Sequence, residues 1–250
     1  MIQVLPIASG STGNCMLICL DDHTIIVDLG ITASALVSAL AENNISPADI
    51  DAVLITHTHS DHVRGLDVCM KKLHAPIFMS NTSKAALFLE NAIAHNYNSR
   101  TEILPGLWVT AFPTSHDCPG SVGYLIETEK FRFGYATDLG IITDDILDYL
   151  SGSDCIVIES NHDEEMLRYG SYPAFLKKRI LSDHGHLSND DCAEAVALLA
   201  ERGTRHFLLA HLSQENNAPE IALACAMRAV AGMDVRIDVL PVSSSEMLFI

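Results

Sequence analysis

An α/β domain, with two batches of strands each interleaved with helices, is the fold class this sequence predicts. Three observations predict it. Short apolar runs alternate with longer amphipathic stretches. Hydrophobic residues make up 48% of the 250 residues, ample for a sizeable core. No low-complexity linker or internal repeat interrupts the alternation, so a single domain over residues 1–250 is expected. Two packed sheets with helices outside would accommodate the order, although periodicity by itself does not set that topology.

The elements follow in turn. "MLICL" and "TIIVDLG" flank "DDH", a hairpin turn between two strands. "ALVSALAENN" is an amphipathic helix, and "DAVLIT" is a short buried strand. "SKAALFLENAIAH" reads as a second helix, with Ser80 or Asn81 to cap it. "LWVTAF", "VGYLIET" and "FRFGYATD" read as strands, "DDILDYL" as helix and "CIVIES" as strand. "SNDDCAEAVALLAERG" is a helix capped by Ser188 and ended by Gly203. "HFLLAH" is a strand, "PEIALACAMRAVAG" a helix, and "VRIDVL" and "EMLFI" close the chain as strands.

Composition narrows the class. There is no apolar run long enough for a membrane span, so no membrane association is expected. The start, "MIQVLPIASGSTGNC", lacks the basic and apolar regions of a signal peptide. Seven scattered cysteines without a C-x-x-C pair fit reduced thiols, and Cys15 and Cys19 read as small hydrophobes. A cytoplasmic location is the expectation. The net charge of −17 runs against a protein that grips nucleic acid through a broad basic face. The one compact basic cluster, Lys177-Lys178-Arg179, sits near a helix end, where it suits the helix dipole.

One regularity carries chemistry. Apolar runs repeatedly end in a potential metal ligand: "TIIV" in Asp28, "VLIT" in His57, "VTAFPTS" in His116, "FGYAT" in Asp138 and "FLLA" in His211. Polar groups at strand ends converge on one rim of a sheet. A lone histidine of this kind is ordinarily a satisfied core residue; five such endings together are a poor fit to that explanation. The segment "HTHSDH" then adds His57, His59, Asp61 and His62 within one short loop. Imidazole and carboxylate donors suit zinc, manganese or iron(II). Four ligating groups exceed what one catalytic ion needs while keeping an open position, so two divalent ions sharing the loop is the simpler account. His116, Asp138 and His211 would complete the ligands.

H-x-H-x-D-H after a strand resembles the signature of the metallo-β-lactamase superfamily. The later motifs match in order, in "TSHD", "YATDLG" and "LAHLS". "ASGSTGNC", "ESNHDEEML", "GHLSNDD" and "HLSQENNAPE" are similar to its YycJ/WalJ-type branch. The resemblance implies an αββα sandwich, two mixed sheets flanked by helices. It assigns His57, His59 and His116 to one metal and Asp61, His62 and His211 to the other, with Asp138 bridging. It makes Asp28 a structural aspartate that supports the ligand loop. His59, which redox relatives replace with glutamate, implies hydrolysis. The branch implies a phosphodiesterase, a 5′-to-3′ exonuclease acting on DNA. A small-molecule hydrolase of a lactone, thioester or cyclic phosphate is the first alternative, and a non-catalytic binding protein the second. Asp61 and Asp138 are expected to handle the attacking water.

Three further groups are candidates. Asn161 and His162 in "ESNHDE" are expected near substrate. His184, His186, Ser188 and Asn189 surround a glycine turn; Ser188 and Asn189 suit helix capping, whereas His186 is expected to protonate the leaving group. Ser11 in "SGSTGN" could present its turn to a phosphate, although a plain hairpin turn fits as well. His23, His74, His95 and His206 lie outside every motif and are expected to be structural or surface residues.

Overall fold

The structure, a computed structural model, describes residues 2–250. The strands are β1 (Ile2–Ala8), β2 (Cys15–Leu20), β3 (His23–Val27), β4 (Ala52–Leu54), β5 (Ile77–Ser80), β6 (Ile93–His95), β7 (Thr101–Leu104), β8 (Leu107–Pro113), β9 (Val122–Glu127), β10 (Arg132–Ala136), β11 (Cys155–Glu159), β12 (His206–Ala210), β13 (Arg236–Val239) and β14 (Leu248–Phe249). The helices are α1 (Ala33–Glu42), α2 (Ser60–Val63), α3 (Leu66–Leu73), α4 (Asn81–Ala86), α5 (Asp144–Leu150), α6 (Glu164–Tyr169), α7 (Ala174–Ile180), α8 (Asn189–Glu201) and α9 (Pro219–Ala229). The chain divides into two compact units. The first runs to Ala111 and includes Cys118–Val122 and Pro241–Ile250; the second comprises Phe112–Asp117 and Gly123–Leu240.

In the first unit the strand order is β14-β1-β2-β3-β4-β5-β6. The β2–β3 pair is an antiparallel hairpin, with Leu20 opposite His23 and Asp21 at φ 52, the left-handed conformation a two-residue turn requires. From β3 onward the neighbours are parallel, so the carboxyl ends of β3, β4 and β5 share one edge. Asp28 and His57 leave the sheet there. Alternate strand residues Leu5, Leu17, Ile26 and Val53 pack in one core with Leu36 and Leu40 of α1 and Leu66 and Leu73 of α3. Each such side chain taken from water contributes roughly 1.5–3 kcal/mol.

The second sheet has the order β13-β12-β11-β10-β9-β8-β7, and the chain passes between the units within β8. Strands β10 to β13 are mutually parallel, so their carboxyl ends also share an edge. Asp138, Glu159 and His211 emerge from it. The core of this unit joins Ala136, Ile156, Ile158, Phe207 and Leu209 of the strands to Ile146 and Leu150 of α5, Val196 and Leu199 of α8 and Ala222 and Ala226 of α9. Both sheets are mixed and carry helices, as expected.

The capping expectations hold. Ser80 Oγ accepts from Ser83 N and Ser188 Oγ from Asp191 N, while Gly203 takes φ +113 just past α8. Lys177, Lys178 and Arg179 lie in the last turn of α7. Among the described residues no helix is long and apolar enough to cross a membrane. The seven cysteines are all free thiols, and burial raises those of Cys15 and Cys19 above the ordinary range.

The helix expected over 83–95 is a correction. Helix α4 ends at Ala86, Phe88 turns left-handed at φ 54, and residues 93–95 instead form β6, parallel to β5. Strand pairing, which satisfies backbone groups beside β5 and buries His95, outweighs the local helical pattern. The sequence reading also did not place β1, β5, β7, α3 or α6.

His95 sits 4% exposed, its ring stacked 5.6 Å from that of Phe78. Burial lowers its pKa to about 4. Below its unfolded value of 6.5 the unfolded chain binds more protons than the fold, so stability falls as pH drops and the loss levels off near pH 4. His95→Phe should remove up to about 3 kcal/mol of this acid sensitivity between pH 6.5 and 4. Urea unfolding across that range checks it; an unchanged slope in the variant would mean that His95 is not the source.

Candidate metal centre

In the first unit, residues 55–62 leave β4 and turn at once into α2, which has His59 at its N-cap and Asp61 and His62 in its only turn. The ring centroids of His57 and His59 are 4.8 Å apart, and those of His57 and His62 4.0 Å. Asp61 Oδ2 lies 3.5 Å from His62 Nε2. Three imidazoles and a carboxylate are thus gathered by one turn of chain.

Asp28 organises this turn from below. It is fully buried at φ 63, with its amide bonded to Leu54 O. Its Oδ1 accepts from Thr56 N at 2.9 Å and its Oδ2 from Thr56 Oγ1 at 2.8 Å. His62 Nδ1 stands 2.7 Å from Oδ2, and facing an ionised carboxylate it must be the protonated nitrogen. The Thr56 hydroxyl donates its one hydrogen to Asp28 Oδ2, so at 3.0 Å its oxygen accepts from His57 Nδ1. In both rings Nε2 is left as the lone-pair nitrogen. Asn14 Nδ2 approaches His62 Nε2 to 2.9 Å and would compete there with an ion.

The glycine at position 30 is required by close approach: a Cβ there would lie 1.6 Å from the carbonyl oxygen of Asp61. Gly30 N bonds Asn14 O, and Asn14 N bonds Asp61 O at 2.7 Å, so residues 9–14 brace the ligand loop. That segment joins the antiparallel pair β1 and β2 as a hairpin connection, and Ser11 stays exposed in it.

In the second unit the centre of the arrangement is Glu159, fully buried at the end of β11. Its Oε1 lies 2.8 Å from both His186 Nδ1 and His211 Nδ1, and its Oε2 accepts from the amides of Leu139 at 3.0 Å and Leu187 at 3.3 Å. Burial pushes its carboxyl up, but the charge and hydrogen bond of His186, together with the bond and charge of His211, outweigh this and hold it down at about 2. His116 Nδ1 donates to Gly185 O at 3.1 Å, and burial lowers its pKa despite the nearby charge of Asp138. Asp138, at φ 57, places Oδ1 3.7 Å from His211 Nε2 and 3.9 Å from His116 Nε2. Asp138, Glu159, His186 and His211 offer ligand atoms that all lie within 4.8 Å of one another, a grouping that could hold a metal ion.

The donor set fits divalent metal. A ligating histidine ordinarily donates its other ring N–H to a carboxylate or carbonyl, which fixes the tautomer. His62, His116 and His211 have such a partner on Nδ1, and His57 reaches Asp28 through Thr56.

Asn161 and His162 lie just past the end of β11. They are 7% and 1% exposed, and the Asn161 side chain donates to His211 O at 2.9 Å. Asn161 holds the His211 turn. Ser188 and Asn189 serve α8, Asn189 Oδ1 also accepting from Ser160 Oγ at 2.7 Å. Sequence reasoning missed Glu159, Thr56 and Asn14. Glu159 obeys the strand-end pattern, closing "CIVIE"; nothing in the pattern marks Thr56 or Asn14.

Strand-end imidazoles and carboxylates on two mixed sheets define a metal-dependent hydrolase. The chain matches the family described as "Beta-lactamase superfamily domain" over residues 23–212. It is 34% identical to exodeoxyribonuclease YycJ of Bacillus anthracis over 86% of this chain and 84% of that one. It is also 34% identical to exodeoxyribonuclease WalJ of Streptococcus pneumoniae, over 93% and 90%. The metallo-β-lactamase fold protein YhfI from Bacillus subtilis shares the fold, with a TM-score of 0.75 at 16% identity over 99% and 98% of the two chains. The chain belongs to the metallo-β-lactamase superfamily and, within it, to the YycJ/WalJ-type branch.

Asp28→Ala should weaken divalent-metal binding by the protein about tenfold to hundredfold, the usual size of losing a carboxylate that supports a ligating histidine. Competition with a chromogenic chelator measures this. Unchanged affinity would show that the Asp28 contacts are dispensable to the loop.

Proposed function

We propose that this hydrolase is a dinuclear phosphodiesterase, a 5′-to-3′ exonuclease acting on DNA. The observation that carries the reading is identity to two exodeoxyribonucleases over nearly their whole length, in a chain that keeps every imidazole and carboxylate of the ligand motifs. His57, His59 and His116 would hold one ion, and Asp61, His62 and His211 the other, with Asp138 shared between them. Zinc or manganese, or iron(II), suits these donors. Bound divalent ions supply Lewis acidity and lower the pKa of water toward about 7.

The chain's own residues do the rest. Asp61 and Asp138 orient the attacking water and accept its proton. His186 is held through Nδ1 by Glu159, and its side chain remains 19% exposed. It delivers a proton from Nε2 to the leaving alkoxide and regains one from solvent. The overall charge of −17 is unfavourable for a polyanion, and divalent ions held by these residues would offset it locally.

Metal-reconstituted protein should release nucleotides from 5′-phosphorylated DNA and leave a lactone untouched; lactone turnover without DNA cleavage would refute the nuclease reading. His186→Ala should keep both ions while losing about 10²–10⁴-fold in turnover, the usual size of general acid catalysis. The deficit should shrink on a nitrophenyl phosphodiester, whose leaving group needs no proton. Loss of an ion in that variant would make His186 a ligand instead.

A further inference from the structure

We infer that the segment from α6 through α7 is a single-strand platform, on which exposed aromatic rings and a lysine carry nucleic acid toward His186. The inference rests on the nuclease reading and adds the surface that holds the strand. Between Glu164 and Ile180 four cations, Arg168, Lys177, Lys178 and Arg179, stand against two carboxylates, in a chain whose net charge is −17; Arg168 pairs with Glu164 at 2.8 Å and so is not free for a phosphate. Tyr169 is 87% exposed and Phe175 75%, more than any other large hydrophobic among the described residues except Phe88. Rings that turn outward beside cations suit a single strand, because every base has a face to stack and every link a phosphate to neutralise.

The platform is held rigidly. Leu167 and Ile180 are buried. Lys177 Nζ donates to the carbonyls of Arg168 and Gly170 at 2.9 and 2.8 Å, which ties the two helices together. Arg179 pairs with Asp117, the residue after His116, through a 3.1 Å bond to Oδ1. Neither of these cations is the main phosphate contact; that part falls to the exposed Lys178. The end of α7 leads straight into the catalytic turn, since His186 N bonds Ile180 O at 3.1 Å and a Cβ on Gly185 would lie 2.1 Å from that same oxygen. A strand stacked along α7 is thereby directed at the ring of His186.

The test uses the metal-loaded full chain and two probes, a short 5′-phosphorylated oligothymidylate and the p-nitrophenyl ester of thymidine 5′-monophosphate. Binding is read by fluorescence anisotropy on a phosphorothioate form of the oligonucleotide. Tyr169→Ala and Phe175→Ala should each raise the oligonucleotide Kd and KM by about tenfold or more, while kcat/KM on the mononucleotide ester holds. Lys178→Ala should reduce the slope of log Kd against log salt by about 0.7, one phosphate contact on a single strand. If the wild type degrades the oligonucleotide and all three variants match it in KM and salt slope, the platform is wrong and the nuclease reading stands. If the wild type neither binds nor degrades it, both fail. If the variants change sedimentation behaviour and leave oligonucleotide binding as it was, the rings cover a second copy of the chain and the inference is overturned.

Discussion

A buried carboxylate that grips an imidazole by Nδ1 is the interaction on which this structure turns. Each unit contains one: Asp28 holding His62, and Glu159 holding both His186 and His211. An ionised carboxylate removed from water costs several kcal/mol unless its lone pairs are occupied. Glu159 meets that requirement with two imidazoles and two backbone amides, Asp28 with an amide, a hydroxyl and an imidazole. The arrangement fixes more than charge. By accepting from Nδ1, Asp28 leaves Nε2 of His62 and Glu159 leaves Nε2 of His211 as the lone-pair nitrogen, which is what the proposed ligation of those two histidines needs.

The backbone is bent to serve these contacts. Asp28, Asp138 and His211 all adopt left-handed φ values, 63, 57 and 58, within two residues of the ends of β3, β10 and β12. Such a conformation costs roughly 1–3 kcal/mol for a non-glycine residue and survives only where its surroundings hold it. At Asp28 the amide bonds to Leu54 O and Leu29 N to His62 O; at His211 the carbonyl accepts from Asn161. The turn reverses the chain abruptly at the sheet edge, where parallel neighbours bring successive strand ends together.

Much of this was legible before any coordinates. Asp28, His57, His116, Asp138 and His211 declare themselves because a short apolar run must stop at the sheet edge, and a charged residue there has a reason to be present. Ser80 and Ser188 cap the helices they were expected to cap, for the same local reason. The illegible parts depend on partners distant in sequence. Residues 93–95 look helical until β5 offers them a ladder. Asn161 was expected near substrate, and its bond to the carbonyl of His211, fifty residues on, could not be read from the sequence. Glu159 was hidden differently: it fits the strand-end pattern, yet only the convergence of His186 and His211 on one oxygen gives it a task.

In the arrangement proposed, Asp28 and Glu159 anchor the ligating histidines and are not ligands themselves. Diffraction at the absorption edge of zinc, on crystals of the zinc-loaded protein, tests this most directly. The account predicts ions bonded to Nε2 of His62, His116 and His211, with Asp28 and Glu159 still on Nδ1 of their histidines. An oxygen of Glu159 or Asp28 at about 2.0–2.2 Å from an ion, or coordination through Nδ1, would contradict it.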